Sequence, residues 1–360
     1  MKKKIIKIDF RRFWWYFNPE DNFFTNLLKK DYNVVIDKEN PDYVFFSVYG
    51  EGTSPLTSKH LGKYASFLKN KLEPVYNLLR RAYYFKRERW KMPILNGNFV
   101  KIFYTQENCR PDMNHCDWAF TYDYDEEMKN PRHLRLPAYF FSILKDPQDL
   151  IKKDINLQQI KKDRTKFCNF VYSNPIPFRN KFFKKLNRYK KVESWGKCLN
   201  NMGRSLPERL LEKGGRVTCK SKDFLEKFKF TVSAENSCYP GYLTEKIFES
   251  INANSIPIFW GNPLVYRDLN TKSFINYHEF EKKVKENISE ILFKIPLVRF
   301  LTKKYLEQAT FKNMIKRIIE IDNDDGLWEE YLKQPWYPDN KPTKYVDEDN
   351  IRKRLREIFG

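Results

Sequence analysis

At 360 residues the chain is long enough for two domains, and its 41% hydrophobic residues suffice for buried cores. The net charge of +21 favours anionic partners: nucleic acid, an anionic membrane or a nucleotide diphosphate. Because the lysines are spread along the whole chain, a nucleic-acid-binding tail is not favoured, and the lack of an apolar run of about eighteen residues argues against a transmembrane helix.

The first part of the chain alternates between strand-like and helix-like segments. Residues 3–9, 32–37 and 42–49 are short and apolar like buried strands, and residues 19–30 predict a helix capped by Asn18. This alternation predicts a parallel sheet with helices on its faces. The N-terminus begins like a signal peptide, but charged residues interrupt its apolar region, so we interpret it as a first buried strand.

A basic segment follows these strands. Residues 74–89 predict a helix, and its cations are Arg80, Arg81, Lys86, Arg87 and Arg89. A solvated helix face is the preferred interpretation, and contact with an anionic membrane is the alternative.

Polar residues follow the next predicted strand, residues 98–105. Glu107 comes directly after it, at the edge where ligands of open α/β sheets bind, although such a carboxylate is also typical of a cap or of solvent exposure. His115 is a second, weaker candidate for a general base. Together with Cys109 and Cys116 it suggests a metal site, but no second ligand pair follows at zinc spacing, so reduced cytosolic thiols are the simpler interpretation.

The second half of the chain opens after a polar connection, residues 146–163. A strand over residues 166–172 ends at Ser173, and a helix over residues 178–189 carries Arg179 in its first turn. A cation near a strand end and a helix N-terminus favours an anion site, and a simple exposed arginine is the alternative.

Residues 230–263 are the most informative stretch. They predict a βαβ unit with a strand over 230–234, a helix that Thr244 caps, and a strand over 255–260. Polar side chains gather between the first strand and the helix, namely Glu235, Asn236, Ser237, Tyr242, Glu245 and Lys246. A lysine in the first turn of a helix beside a strand end favours a phosphate group, and a plain βαβ unit with a polar turn is the alternative.

This stretch closely resembles the signature of the α-1,3/1,4-fucosyltransferases, glycosyltransferase family 10. The matching residues are Glu235, Asn236 and Ser237, then Tyr242, Thr244, Glu245 and Lys246, then Pro257, Ile258 and Gly261; Leu243 replaces the usual β-branched residue. Similar segments surround Glu107 and Arg179, so the resemblance covers residues 98–276 well and the chain ends weakly. Trp195 departs from the pattern of bacterial relatives, and we expect it to narrow or line the acceptor side.

The resemblance implies an α/β fold of the GT-B class, with two Rossmann-like domains facing a cleft. Residues 1–155 would form the acceptor domain and residues 156–325 the GDP-fucose-binding domain. Residues 326–360 would form a helical tail that packs back on the first domain. Helical spacing of apolar residues predicts helices over residues 280–295, 305–321 and 350–359.

The family also implies a reaction: inverting transfer of L-fucose from GDP-β-L-fucose to a GlcNAc-containing acceptor in α-1,3 or α-1,4 linkage. Glu107 would be the general base, and Glu245 would bind the fucose or its oxocarbenium-like centre. Arg179 and Lys246 would neutralise the departing GDP. The other donor-binding residues implied by the resemblance are Ser173, Glu235, Asn236 and Tyr242.

Two cations can replace a metal ion, so no metal site and no cofactor are expected to be required, and Mn²⁺ or Mg²⁺ is expected at most to stimulate. The two Asp-x-Asp sequences, at residues 123–125 and 322–324, are interpreted as surface turns. The expected partners are GDP-fucose and an oligosaccharide such as N-acetyllactosamine, without nucleic acid. Bacterial relatives favour a lipopolysaccharide O-chain of Lewis type as the acceptor, a cytoplasmic location and peripheral contact with the anionic inner membrane.

Two other functions stay open at this point. The first is a GT-B transferase that uses another GDP-sugar, which donor competition would distinguish. The second is a basic nucleic-acid-binding protein, whose binding would fall steeply with salt. The linkage and the oligomeric state are also left open by the sequence.

Overall fold

The computed structural model describes residues 3–49, 91–142, 147–203 and 222–360. The basic helix predicted over residues 74–89 lies outside the described residues. The chain divides into two compact units, of which one comprises Met1–Phe141 with Tyr345–Gly360 and the other Ser142–Lys344. The first domain was predicted to end at residue 155, whereas the first unit already ends its N-terminal segment at Phe141. The second domain was predicted to end at residue 325, whereas the second unit continues to Lys344.

The first unit is built on a parallel sheet of six strands. Its elements up to residue 142 are β1 (Ile5–Arg11), α1 (Phe23–Asp31), β2 (Asn33–Ile36), β3 (Tyr43–Phe46), β4 (Val100–Tyr104), β5 (Trp118–Thr121), α2 (Asp125–Met128), β6 (His133–Arg135) and α3 (Ala138–Ser142). The strand order is β2-β1-β3-β4-β5-β6. Val44, Phe45 and Phe46 of β3 are all fully buried, as expected for a parallel strand covered on both faces.

The predicted strands of this unit are confirmed, but the start of the first helix was predicted too early. Helix α1 begins at Phe23, and Asn22 is its N-cap, because the Asn22 Oδ1 accepts a hydrogen bond from the Thr25 amide at 3.1 Å. Asn18 instead closes a preceding turn, where it accepts from the Glu20 amide. Both asparagines are good caps, and only the one next to the apolar run caps the helix.

The second unit is built on a parallel sheet of five strands in the order β11-β10-β9-β7-β8. Its elements are a 3₁₀ turn (Pro147–Leu150), α4 (Leu157–Asp163), β7 (Lys166–Phe170), α5 (Pro177–Leu186), β8 (Val192–Ser194), α6 (Lys222–Leu225), β9 (Phe228–Ala234), α7 (Glu245–Asn252), β10 (Ile256–Trp260), 3₁₀ turns (Val265–Arg267 and Thr271–Ser273), β11 (Ile275–Asn276), α8 (Tyr277–Lys285), α9 (Ile291–Lys294), α10 (Pro296–Asn323), α11 (Asp325–Lys333) and a 3₁₀ turn (Pro338–Asn340). The predicted βαβ unit is therefore confirmed as β9-α7-β10, with β9 and β10 paired in parallel.

Helix α10 differs most from the prediction. The sequence predicted helices over residues 280–295 and 305–321, whereas α10 runs for 28 residues from Pro296. A proline is compatible with the first turn of a helix, where its missing N–H has no partner to lose, so Pro296 starts α10 instead of separating two helices. Phe311 and Ile318 bury one face of α10 in the core of the second unit.

The chain-end helix α12 (Glu348–Phe359) belongs to the first unit, after a 3₁₀ turn (Lys344–Val346). Its apolar residues Ile351 and Leu355 are buried, and Arg352 and Arg356 both form ion pairs with Asp31 of α1. Hydrophobic burial and charge pairing thus hold α12 against this unit. Among the described residues, no helix combines the length and the hydrophobicity needed to cross a bilayer.

Candidate active site

The predicted donor-binding residues of the second unit lie at the carboxyl ends of β7 and β9. Helix α5 begins after the loop that follows β7, and α7 begins after the loop that follows β9. In open α/β sheets this edge binds ligands, because strand ends and helix N-termini leave polar groups there. Topology therefore brings residues 173–179 together with residues 235–246, although they are far apart in sequence.

Arg179 is a buried cation in this group, only 1% exposed. Its Nη1 donates to the Ala234 carbonyl and to Asn236 Oδ1, both at 3.2 Å, and its Nη2 donates to the Asn174 carbonyl at 2.9 Å. The guanidinium lies 3.9 Å from the centre of the Tyr172 ring. Burial lowers the pKa of Arg179, and no described carboxylate forms an ion pair with it. A buried cation held only by neutral groups favours an anionic ligand nearby.

Lys246 lies between two carboxylates at the start of α7. Its Nζ is 3.1 Å from Glu235 Oε2 and 3.0 Å from Glu245 Oε1, and it donates to the Thr244 hydroxyl at 2.8 Å. Glu235 is fully buried and also accepts from the Thr244 amide at 2.8 Å. Thr244 is the N-cap residue of α7, as predicted, but its side chain makes no capping hydrogen bond to the helix, and its hydroxyl donates to Glu235 instead.

The charges of this group stabilise one another. Burial by itself would lower the pKa of Lys246, but the carboxylates of Glu235 and Glu245 raise it above its usual value. Burial opposes ionisation of Glu245 too, yet Lys246 holds the pKa of that carboxyl below its ordinary value. The lysine and Glu245 therefore both stay charged near neutral pH. Glu245 keeps 25% of its side chain exposed and is reachable by a ligand, whereas Glu235 is not.

The remaining predicted donor residues lie in the same two loops. Asn236 is half-buried and holds Arg179, while Tyr242 is buried at 3% exposure. Ser173 and Ser237 are half-buried, and Ser173 makes no side-chain hydrogen bond within the described part of the chain. Gly261 closes the group from the end of β10, because a Cβ there would lie 2.5 Å from Glu235 Cγ. The packing of Glu235 thus requires a glycine at that position.

Glu107 lies in the first unit, half-buried in the loop after β4. The Tyr49 hydroxyl donates to Glu107 Oε1 at 3.0 Å, and the Glu107 amide donates to Thr105 Oγ1 at 3.0 Å. Burial and the Glu107 carboxylate both raise the pKa of Tyr49 far above its usual value, so the phenol keeps its proton. Tyr49 therefore acts as a hydrogen-bond donor that fixes the position of the Glu107 carboxylate.

Aromatic side chains extend from Tyr49 to the surface of the same unit. The Trp14 ring meets the Tyr49 ring edge-on, with the centres 5.9 Å apart. Trp15 and Tyr16 follow in the chain and are 82% and 56% exposed. Exposed aromatic rings of this size are costly in water and are typical of ligand-binding surfaces.

The interpretation of both Asp-x-Asp sequences as surface turns holds only in part: Asn323 and Asp324 are exposed, but the first aspartate of each sequence is buried. Asp123 is 2% exposed and pairs with Arg110 at 2.9 Å. Asp322 is similarly buried at the end of α10, where it accepts from Tyr189 at 2.9 Å and from Lys190 at 3.0 Å. Burial of each carboxylate is offset by a cation or a hydroxyl that sequence spacing does not reveal. Across the described ranges, no group of three or more His, Cys, Asp or Glu side chains is arranged to hold a metal ion.

The cysteines near His115 are structural. Cys109 and Cys116 are buried in an apolar cluster with Phe103, and burial raises the pKa of each thiol to about 12. His115 pairs with Asp112 at 2.9 Å. These residues are held by packing and local pairing, which leaves Glu107 as the better candidate for a base.

Comparison with known proteins identifies the family of this chain. The sequence matches the domain described as "Glycosyltransferase family 10 (fucosyltransferase) C-term" over residues 161–297 and "Alpha-(1,3)-fucosyltransferase FucT N-terminal domain" over residues 8–59 and 67–142. An alpha-(1,3)-fucosyltransferase FucT of Helicobacter pylori is 31% identical over 272 residues, which are 62% of this chain and 54% of that protein. The chain belongs to glycosyltransferase family 10.

This family 10 chain spans only part of the length of its curated relatives. It covers about half of the H. pylori protein and 30% of a putative fucosyltransferase of Acanthamoeba polyphaga mimivirus, which is 25% identical over 58% of this chain. A crystal structure of an alpha1,3-fucosyltransferase superposes with a TM-score of 0.62 at 22% identity, covering 99% of this chain and 90% of that one. A second, with GDP-fucose, gives 0.61 at 21% identity, 99% and 91% coverage. The predicted α/β fold of the GT-B class is confirmed.

Sequence reasoning missed several residues around the family 10 signature. Tyr172 supports Arg179, and Asn262 Oδ1 accepts from the Gly241 amide at 2.8 Å, so both shape the loops after β7 and β9. The only available signal for Tyr172 was an aromatic residue at the end of a predicted strand. Trp195 was predicted to lie on the acceptor side, which is wrong, because it is 8% exposed and packs in the core of the second unit against Phe224.

Proposed function

We propose that this chain is an inverting fucosyltransferase. It transfers L-fucose from GDP-β-L-fucose to a hydroxyl of a GlcNAc-containing acceptor, in α-1,3 or α-1,4 linkage. The observation that carries the proposal is the pair of cations, Arg179 and Lys246, held with Glu245 and Asn236 at the strand ends of the second unit. Family membership and the relative solved with GDP-fucose support the choice of donor.

On the donor side, the two cations stabilise the charge that grows on the diphosphate as its bond to fucose breaks. Lys246 supplies a charge that Glu235 holds in place before the donor arrives, so little reorganisation is needed during the reaction. Arg179 lies deeper and acts as a buried positive charge that also ties Asn236 to the loop after β7 through the Asn174 carbonyl. Tyr242 and Ser173 complete the donor loops.

The two glutamates have different roles in this proposal. Glu245 is partly exposed, so it contacts the fucose ring and stabilises the positive charge that develops at its anomeric carbon. Glu235 is fully buried and acts as a positioning residue for Lys246 and Thr244.

On the acceptor side, Glu107 is the general base. The acceptor oxygen attacks the anomeric carbon, the bond from that carbon to the GDP oxygen breaks, and the acceptor proton passes to Glu107. One displacement inverts the β-linked donor into an α-linked product. Tyr49 orients Glu107 through the bond between its hydroxyl and Oε1.

The exposed rings of Trp15 and Tyr16 stack on the acceptor sugar in this proposal. They are linked to Glu107 through Trp14 and Tyr49, so a sugar on these rings has a defined relation to the base. The proposed physiological acceptor is a Lewis-type glycan of a lipopolysaccharide O-chain, made at the cytoplasmic side with peripheral contact to the membrane. The buried thiols of Cys109 and Cys116 are compatible with this compartment.

A metal ion is not required for the proposed reaction, because Arg179 and Lys246 carry the charge that a metal would supply. Adding Mn²⁺ or Mg²⁺ to protein treated with a chelator tests this point. A rate that is restored only by the metal would contradict it.

The decisive experiment is GDP release from GDP-fucose with N-acetyllactosamine, with chelator and without added metal. Glu107→Gln and Lys246→Ala are each expected to lower kcat by a factor of roughly a hundred or more. Glu39→Gln and Lys227→Ala are exposed controls in the same units and are expected to retain the activity. Each variant is checked for a native circular dichroism spectrum first.

The alternative is a GT-B enzyme that uses another GDP-sugar. Competition between GDP-fucose and other GDP-sugars separates the two possibilities. If another GDP-sugar reacts while GDP-fucose neither binds nor reacts, the donor assignment is wrong, although the site stands.

A further inference from the structure

An outer surface of the second unit combines exposed apolar side chains with cations. Six large apolar side chains are exposed where α9 meets α10, and we call them the apolar patch: Ile291, Leu292, Ile295, Phe300, Leu301 and Tyr305. Phe300 is 68% and Tyr305 61% exposed. Half of the large hydrophobic side chains exposed in the described residues lie in this short segment, so scattered surface hydrophobicity does not explain it.

Cations are interspersed with the apolar patch. They are Lys294, Arg299, Lys303 and Lys304, and residues 291–305 contain no Asp or Glu. All four are exposed, and within the described part of the chain none of them forms an ion pair. An exposed apolar segment with unpaired cations and without acids is suited to a partner that is both apolar and anionic.

The same face of α10 continues as a basic groove. Leu301 and Tyr305 are four residues apart, and Lys312 and Lys316 follow at helical spacing on the same stripe. Lys312 and Lys316 line a groove of about 710 Å³ together with Lys185, Arg188, Asn313, Ile315, Ile319, Glu320 and Asn323. From Leu301 to Asn323 this stripe measures about 33 Å. The opposite face of α10 is anchored in the core by Phe311 and Ile318, so the stripe is held outward.

We propose that this surface docks the chain onto an anionic lipid bilayer. The apolar patch enters the boundary between headgroups and acyl chains, and the cations beside it and in the groove lie at the lipid phosphates. A second copy of the chain is a poorer partner, because two such surfaces repel each other. Nucleic acid would pair with the cations but would leave Phe300 and Leu301 in water. This docking does not depend on the proposed fucosyl transfer.

The chain-end helix α12 is basic too, but it offers no comparable surface. Its apolar residues Ile351, Leu355, Ile358 and Phe359 are buried in the first unit. Arg352 and Arg356 are paired with Asp31. Membrane contact is therefore assigned to α9 and α10 and not to the chain end.

The test is co-sedimentation of the full chain with vesicles that contain phosphatidylglycerol, compared with vesicles of phosphatidylcholine alone. Wild-type protein is expected to bind the anionic vesicles and to be released in part by high salt. Lys303→Ala with Lys304→Ala is expected to weaken partitioning about 30-fold. Phe300→Ser with Leu301→Ser is expected to weaken it roughly tenfold or more. High salt should release what binding remains more completely than in wild type, because the cations are kept and the apolar anchor is lost.

Matched controls use exposed residues outside the proposed docking surface on α9 and α10: Lys227→Ala with Lys341→Ala for charge, and Ile94→Ser for hydrophobicity. They are expected to bind like wild type. The proposal is overturned if wild type does not bind anionic vesicles, or if the patch variants bind as well as their controls. It is also overturned if the patch variants only reduce self-association in analytical ultracentrifugation, since the surface would then join copies of the chain.

Discussion

Replacing Lys246 by alanine should destabilise the fold, because the buried carboxylate of Glu235 would lose its cation. Glu235 is fully buried, and the Lys246 ammonium at 3.1 Å is the only cation that forms an ion pair with it among the described residues. Removing one partner of a buried pair typically costs about 3–5 kcal/mol, because the remaining charge is left without compensation. We therefore expect Lys246→Ala to lower the free energy of unfolding by about 3–5 kcal/mol.

The coupling free energy between Lys246 and Glu235 is obtained by making the same substitution in the Glu235→Gln variant. Glu235→Gln keeps the volume that Gly261 accommodates but removes the charge, so Lys246→Ala in that background leaves no buried anion at position 235. The cost of losing the lysine should fall to about 1–2 kcal/mol, which makes the coupling between the two positions about 2–3 kcal/mol. Glu245 remains as a counter-charge for the lysine and accounts for part of what is left.

The assay is urea unfolding of wild type, both single variants and the double variant, followed by fluorescence and circular dichroism. Lys181 and Glu307 provide a matched control, since their ion pair is 2.7 Å long but exposed, and its coupling should stay below about 1 kcal/mol. If the costs at positions 235 and 246 simply add, within about 0.5 kcal/mol, the reasoning about a preorganised lysine is refuted.

Three further predictions concern single positions. Burial alone would lower the pKa of His278, but the neighbouring Cys238 thiol and Glu281 raise it to about 9, so its contribution of about 3 kcal/mol to the free energy of unfolding should be complete below pH 6.5 and disappear as the pH rises through 9. His278→Asn should therefore flatten the dependence of the free energy of unfolding on pH over that range, and an unchanged profile would contradict this. Gly196→Ala should lower the free energy of unfolding by roughly 2–3 kcal/mol or more, because the added Cβ would lie 2.2 Å from the carbonyl oxygen of Tyr172. It should also weaken GDP-fucose binding in calorimetry, and normal binding would refute the link between this turn and the proposed donor site. Burial lowers the pKa of Lys152 to about 8, and its Nζ has no hydrogen-bond partner among the described residues. Lys152→Met should therefore raise the free energy of unfolding at pH 7 by roughly 1–2 kcal/mol, and a lower melting temperature would argue against this.

Local sequence was sufficient for most strands and for the βαβ unit. Buried parallel strands are short apolar runs, and a run such as Val44, Phe45 and Phe46 is typical of a strand that is covered on both faces. Helix ends were harder to predict, as Asn22 and Pro296 show. Several residues near each end are acceptable caps or first-turn residues, and packing of the apolar face chooses among them.

For the candidate site, too, local sequence was sufficient for only part of what the structure shows. Glu235, Asn236, Glu245 and Lys246 are close in sequence and could be predicted together from one loop and one helix start. Which glutamate is buried and which is reachable could not be predicted. That difference depends on Gly261, which packs against Glu235 from the next strand.

The sequence by itself determined the order of strands and helices, the parallel sheets and the identity of the charged groups at the candidate site, because these follow from periodicity, turn residues and a contiguous signature. Only the tertiary structure decided which charges pair. Arg179 meets Asn236 and Tyr172, and Asp123 meets Arg110, through contacts between separate segments. The free energy of a charge depends on its burial and on its nearest neighbours, and both are properties of the folded chain.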